Sequence, residues 1–103
     1  MEPFTEKVIG IIKSIPAGKV MTYGQIAYAA GSPRGARQVV RILHSMSKKY
    51  NLPWHRVVNY RGELSIKDKE TLQHQKTALV IEGIRISRNN IISLKDYQHQ
   101  TFT

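Results

Sequence analysis

TYGQIAYAAGSPRGARQVVRILHSM, Thr22 to Met46, is the stretch whose reading decides the fold. Thr22 is followed three residues later by Gln25, the pattern of a capping box, so a short helix opens there and runs through about Ala30. Gly31 suits the position just past its end. Ser32-Pro33 restarts the chain, with Pro near the first position of a second helix that runs to about Met46. Ala36, Val39, Val40, Leu43 and Met46 fall on one face of that helix. Arg34, Arg37, Arg41 and His44 fall on another. A short helix, a Gly-containing turn and an amphipathic helix with a basic outer face form a helix-turn-helix pattern. A plain helical hairpin has the same local signature.

Outward from this unit the pattern stays that of one domain. Phe4, Val8, Ile11, Ile12 and Ile15 recur at helical spacing ahead of Pro16 and Gly18. Val20-Met21 reads as a short extended piece. Arg56-Val57-Val58 and Glu63-Leu64-Ser65 flank Asn59-Tyr60-Arg61-Gly62, which reads as a hairpin, the wing of a winged helix-turn-helix. Asp68 to Glu82 reads as a helix with Leu72 and Leu79 inward and Gly83 past its end. Ile84-Arg85-Ile86 and Ile91 to Leu94, joined across Asn89-Asn90, read as a second hairpin. No repeat or linker divides the chain. The expectation is an α+β, winged helix-turn-helix DNA-binding domain over residues 1–97, mostly helical with small β-hairpins, and a flexible tail over 98–103.

The chain has 103 residues, enough for one small core. Sixteen Lys and Arg against seven Asp and Glu leave a net charge of +9, which favours a polyanionic partner, nucleic acid or an anionic membrane surface. The charge is uneven: ten basic residues and no acid lie between Lys7 and Gly62. Solubility alone does not call for that, since mixed signs serve it as well. The absence of Cys excludes disulfides, Cys-ligated zinc and a thiolate nucleophile. MEPFTEK at the N-terminus is unlike a signal peptide, and no run approaches the roughly 18 apolar residues of a membrane span. A cytoplasmic location is expected.

PWHRVV, Pro53 to Val58, holds the only Trp. A lone Trp is as often a core residue as a functional one. The hexapeptide resembles the PCHRV motif of the O6-alkylguanine-DNA alkyltransferases, with Trp54 in place of the acceptor Cys. IPAGKVMTYGQIAYAAGSPRGARQV, Ile15 to Val39, is similar to the helix-turn-helix segment of that family, and the similarity extends from about Phe4 to Leu94. The whole pattern resembles the alkyltransferase-like proteins, which lack the Cys and the activity. The resemblance implies a non-enzymatic sensor. It would bind double-stranded DNA containing O6-alkylguanine through the minor groove, flip the damaged nucleotide into a pocket and flag it for nucleotide excision repair proteins such as UvrA. It implies a monomer, no cofactor and no metal.

The resemblance also assigns residues. An indole has no lone pair basic enough to attack an alkyl carbon, so Trp54 is a flat wall for a flipped base and not a nucleophile. His55 and Glu82 match the His that activates the Cys and the Glu that orients it, here vestigial. Arg37 matches an Arg finger that fills the place of the extruded nucleotide; its plain alternative is a phosphate contact. Tyr23 matches a Tyr that presses on the 3′ phosphate; its alternative is an aromatic packed on the core. Arg56 is expected to brace the pocket through backbone carbonyls. Lys67, in the loop after the wing, is placed in the lesion pocket, with a solvated loop Lys the equal alternative. Thr22, Arg34 and Arg41 are expected on the DNA face. Met46 stands about where the transferases carry an Asn. Two other functions stay in view: a winged-helix regulator reading undamaged DNA, and an enzyme, either a residual transferase or a glycosylase.

Overall fold

A computed structural model describes residues 1–100. Its helices are α1 (Pro3–Lys13), α2 (Tyr23–Ala29), α3 (Ala36–Met46), α4 (Lys69–Ile81) and the single turn α5 (Leu94–Tyr97). Two short strands, β1 (Met21–Thr22) and β2 (Val57–Val58), pair in parallel, Met21 against Val57 and Thr22 against Val58. A 3-10 turn, Trp54–Arg56, leads into β2.

The strand pair lies between two apolar clusters. Successive residues of an extended chain point to opposite sides. Met21 and Val57 therefore enter a cluster with Val8, Ile12, Ile26, Val39 and Leu43 from α1, α2 and α3. Val20 and Val58 enter a second cluster with Leu64, Leu79, Ile84 and Ile92. The β1–β2 pair joins the helix-turn-helix to the C-terminal half and holds the Trp54 turn beside it.

The capping box at Thr22 is formed as the spacing predicts: Gln25 N donates to Thr22 Oγ1 at 3.0 Å, and Thr22 N donates to Gln25 Oε1 at 3.3 Å. Gly31 takes φ +93° just past the end of α2. The start of α3 is later than expected. Ser32 to Gly35 make a turn, with Gly35 N donating to Ser32 O at 2.8 Å, and the helix begins at Ala36. Arg34 thus sits in the turn. Val40 is 45% exposed and outside the core, while Val39 and Leu43 carry the buried face.

The expected wing is a correction. The turn at Asn59–Gly62 exists: Gly62 N donates to Asn59 O at 2.9 Å, and Gly62 takes φ +77°. Its two arms do not form a ladder, however. Val57 and Val58 are each 2% exposed, and a strand buried on both faces needs cover that a solvent-facing wing does not provide. β1 provides it. Glu63 instead bridges Ile91, and Leu64 N donates to Asn90 O at 2.8 Å. The second hairpin reduces to a turn closed by Ser87 N on Ile91 O at 3.0 Å, and Leu94 opens α5. The first residues of the expected tail are docked: Gln98 bridges Val20, and His99 N donates to Val20 O at 2.8 Å. Residues 101–103 of that tail lie outside the described residues.

Candidate nucleic-acid interface

The capping box sets Tyr23 at the first position of α2, on the wall of a cavity of about 440 Å³. α3 contributes Val40, Leu43 and His44 to its wall, Ser47 follows, and the Trp54 turn adds Trp54 and Val57. Ile66, Asp68, Thr71 and Gln75 close the far side. The cavity thus lies between the second helix of the helix-turn-helix and α4. Trp54 forms part of this wall while packing against the first core cluster. The His74 ring stands edge-on to it, centroids 5.7 Å apart, and the His55 ring does so at 6.5 Å. Its ring is fixed in place by contacts on the protein side.

His55 and Arg56 face the other way, onto the C-terminal end of α4. His55 Nε2 lies 2.8 Å from Glu82 Oε2, and Arg56 Nη2 donates to the same oxygen at 2.8 Å. Arg56 Nε reaches both carboxylate oxygens at 3.1 and 3.2 Å, and Nη1 donates to Ile15 O at 2.8 Å. Gly18 N donates to Glu82 Oε1 at 3.1 Å. Burial works to raise the Glu82 carboxyl, but the hydrogen bonds from Arg56, His55 and Gly18 outweigh it and hold the group at about 2. Glu82 is therefore a fixed anion that ties three segments together: the loop after α1, the Trp54 turn and α4. Arg56 is bonded to one backbone carbonyl and one carboxylate, where carbonyls alone were expected.

This geometry has close relatives. Residues 3–84 match the family "6-O-methylguanine DNA methyltransferase, DNA binding domain". The DNA base-flipping protein of Escherichia coli K12 is 43% identical over 97 residues, which is 94% of this chain and 74% of the relative. Alkyltransferase-like protein 1 of Schizosaccharomyces pombe is 40% identical over 92 residues, 88% of this chain and 85% of the relative. The crystal structure of the S. pombe protein in complex with damaged DNA containing O6-carboxymethylguanine superposes with a TM-score of 0.87 at 37% identity, covering 98% of both chains. The chain belongs to this methyltransferase DNA-binding family, as an alkyltransferase-like protein.

In this alkyltransferase-like chain the remaining residues divide by exposure. Arg37 and Arg41 are exposed on α3, and neither makes an ion pair among the described residues. Arg37 lies one turn before Val40 and Arg41 one turn before His44, two of the three residues that α3 turns to the cavity. Tyr23 lines the cavity and packs against the first core cluster, and burial raises its hydroxyl pKa. Thr22 is buried and not on the exposed face; its hydroxyl oxygen accepts from the Gln25 amide, so it caps α2 and positions Tyr23. His55 is placed behind the Trp54 wall, not in it. Lys67 is exposed and off the cavity wall, although its neighbours Ile66 and Asp68 are on it. Sequence reasoning missed Ser47, Thr71 and Gln75. Gln75 stands between Leu72 and Leu79 on the inward face of α4, which was a legible signal. Among the described residues no group of three or more His, Cys, Asp or Glu is placed to hold a metal ion.

Proposed function

We propose that this protein senses O6-alkylguanine in duplex DNA without chemistry. α3 enters the minor groove, Arg37 fills the vacated stack, and the damaged nucleotide turns into the Trp54 cavity. One observation carries the reading: Trp54, standing where the transferases hold their acceptor Cys, forms a wall of an open cavity of about 440 Å³ beside the helix-turn-helix. Turning a nucleotide out of the duplex costs a few kcal/mol. Stacking of a base on an aromatic face returns about 1–3 kcal/mol. An alkylated guanine is already weakly paired, so it is the base for which this exchange is least costly.

The chain has no Cys to accept an alkyl group, and the indole of Trp54 is not a substitute. The names of the E. coli and S. pombe relatives, and the damaged DNA bound to the latter, support the same reading. The protein then acts as a monomer on cytoplasmic, nucleoid-bound DNA. It marks the site for nucleotide excision repair proteins such as UvrA, which do the cutting.

Fluorescence anisotropy with matched duplexes containing guanine or O6-methylguanine tests this, with product analysis of the recovered DNA. Tighter binding to the methylated duplex, with the methyl group still on the base, is the expected result. Equal affinity for the two favours a winged-helix regulator of undamaged DNA. Loss of the methyl group or of the base from the DNA favours an enzyme.

A further inference from the structure

The basic stripe of α3 continues past the end of the helix. Arg37, Arg41 and His44 stand at i, i+4 and i+7, within about 60° of one another around the axis. Beyond Met46, Ser47 N donates to Leu43 O and Tyr50 N to Met46 O, each at 3.0 Å, so the chain keeps a helical path through Tyr50. Lys48, at i+11, therefore falls on the same stripe. All four side chains are exposed. At about 1.5 Å per residue, Lys48 lies about 16 Å along the axis from Arg37. The stripe borders the cavity at His44 and then leaves it behind: Lys48 is not among the lining residues.

At its far end the stripe meets two more cations gathered on one ring. Lys13, the last residue of α1, has its Nζ 5.6 Å from the centre of the Tyr50 ring, and Lys49 Nζ lies 5.5 Å from it. Tyr50 is half-buried and packs against the first core cluster, so the ring is anchored. Lys13, Lys48 and Lys49 are exposed, and none makes an ion pair among the described residues. An exposed ammonium over an aromatic face gains only about 0.5–1 kcal/mol. Like charges repel, so folding gains little by assembling three of them. A polyanion gains more, because side chains already held over the ring lose less freedom when they bind. We propose that Lys13, Lys48 and Lys49 form a second anchor on the sugar-phosphate backbone, at the far end of the α3 stripe from Arg37. This rests on the reading that the stripe lies against duplex DNA, and not on the reading of the cavity. Standing off the cavity, the anchor grips damaged and undamaged duplexes alike: it sets affinity, and the cavity sets preference. An acidic protein surface also suits three ammoniums, but continuity with the α3 stripe favours DNA.

The test compares three proteins: the wild type, a variant combining Lys13→Gln, Lys48→Gln and Lys49→Gln, and a control combining Arg85→Gln, Arg88→Gln and Lys95→Gln. The control removes the same charge from exposed positions in the C-terminal half. Each is titrated by anisotropy against duplexes carrying guanine or O6-methylguanine, over a series of salt concentrations. Every phosphate contact contributes about 0.9 to the slope of log K against log salt. The Lys variant is therefore expected to have a slope shallower by about 2–3 and to bind both duplexes more weakly by one common factor, roughly tenfold to a hundredfold at about 0.1 M salt. The control is expected to keep the wild-type slope. A wild-type slope in the Lys variant overturns the proposal and leaves an acidic protein as the partner class. An equal change of slope in the Lys variant and the control also overturns it, because net charge and not contact at this patch would then be the cause. Lys48→Gln alone, expected to change the slope by about 0.9, decides the matter where the triple variant does not fold. Equal binding of the two duplexes by the wild type removes the lesion-pocket reading alone, and the slopes still decide the anchor. Binding of neither duplex removes both.

Discussion

His55 Nε2 lies 2.8 Å from Glu82 Oε2, although 27 residues separate them in the chain. In a transferase, such a pair would serve a thiol next door. Here the neighbour is Trp54, and the carboxylate is shared with Arg56 and the Gly18 amide. The pair survives as a clasp that holds the Trp54 turn against α4.

The clasp predicts a pH dependence of stability. Glu82 is held at about 2 against an ordinary value of 4.5, so the unfolded chain binds this proton more readily than the folded one. The stabilisation is complete above about pH 4.5 and is lost as pH falls toward 2. Melting temperature is expected to fall through that window, and Glu82→Gln is expected to flatten the profile. At pH 7 the same substitution is expected to cost about 1–3 kcal/mol in urea denaturation.

Arg37 and Tyr23 separate binding from folding. Arg37→Ala is expected to leave stability unchanged, because the side chain is exposed and makes no ion pair among the described residues. Lesion binding is expected to weaken by roughly 1–3 kcal/mol, with a smaller 2-aminopurine signal from the flipped site. If only the salt dependence changed and lesion preference stayed intact, Arg37 would be a phosphate contact and not the finger. Tyr23→Ala is expected to reduce flipping and also to destabilise the fold, by about 1–3 kcal/mol, since Tyr23 packs on the core. Tyr23→Phe keeps the packing and isolates the hydroxyl.

Salt separates the ionic from the pocket contribution. A basic surface making on the order of six phosphate contacts gives log K against log salt a slope of about −5. The preference for O6-methylguanine over guanine is expected to persist across the series, because the cavity walls are mostly uncharged. Anisotropy titrations at four or more salt concentrations measure both.

Trp54→Cys is not expected to yield an efficient transferase. A thiol near its ordinary pKa is only a few per cent thiolate at neutral pH. His55 held by Glu82 leaves a base and its orienter in place, so activation is not the whole barrier. Attack needs the sulfur within about 3–3.5 Å of the alkyl carbon and in line with the C–O bond. Removing an indole that packs on the core leaves a void in which the base can settle at several depths. Binding is expected to persist, weakened, with slow or undetectable transfer of a labelled methyl group to protein. Rapid stoichiometric labelling would show that the thiol was the only missing part.

The turn at Asn59–Gly62 is unforgiving. A Cβ on Gly62 would stand 2.3 Å from Ile92 O, and φ is +77°. Gly62→Ala is expected to destabilise the fold by roughly 2–4 kcal/mol, read by denaturant midpoint, since neither backbone can retreat without breaking the Ile92 N to Gly62 O hydrogen bond.

The caps of α2 and α4 and the lack of a thiolate were legible in the sequence, because both depend on residue types or on neighbours a few positions apart. Thr22 and Gln25 form their cap across three residues, Asp68 caps α4 by accepting from Thr71 N at 3.0 Å, and Gly31 and Gly83 end their helices in the left-handed conformation that Gly adopts at little cost. A chain without Cys has no thiolate, whatever its fold. Only the tertiary structure decided how Val57-Val58 pairs, that Glu82 closes on His55 and Arg56, and that Val40 faces the cavity. Each of these depends on which surfaces are covered from both sides. Burial on both faces drew β2 to β1 instead of into a wing, and that pairing placed the Trp54 turn against α3 and α4. Local pattern specifies which element a segment can form; the partner that buries it is a property of the whole core.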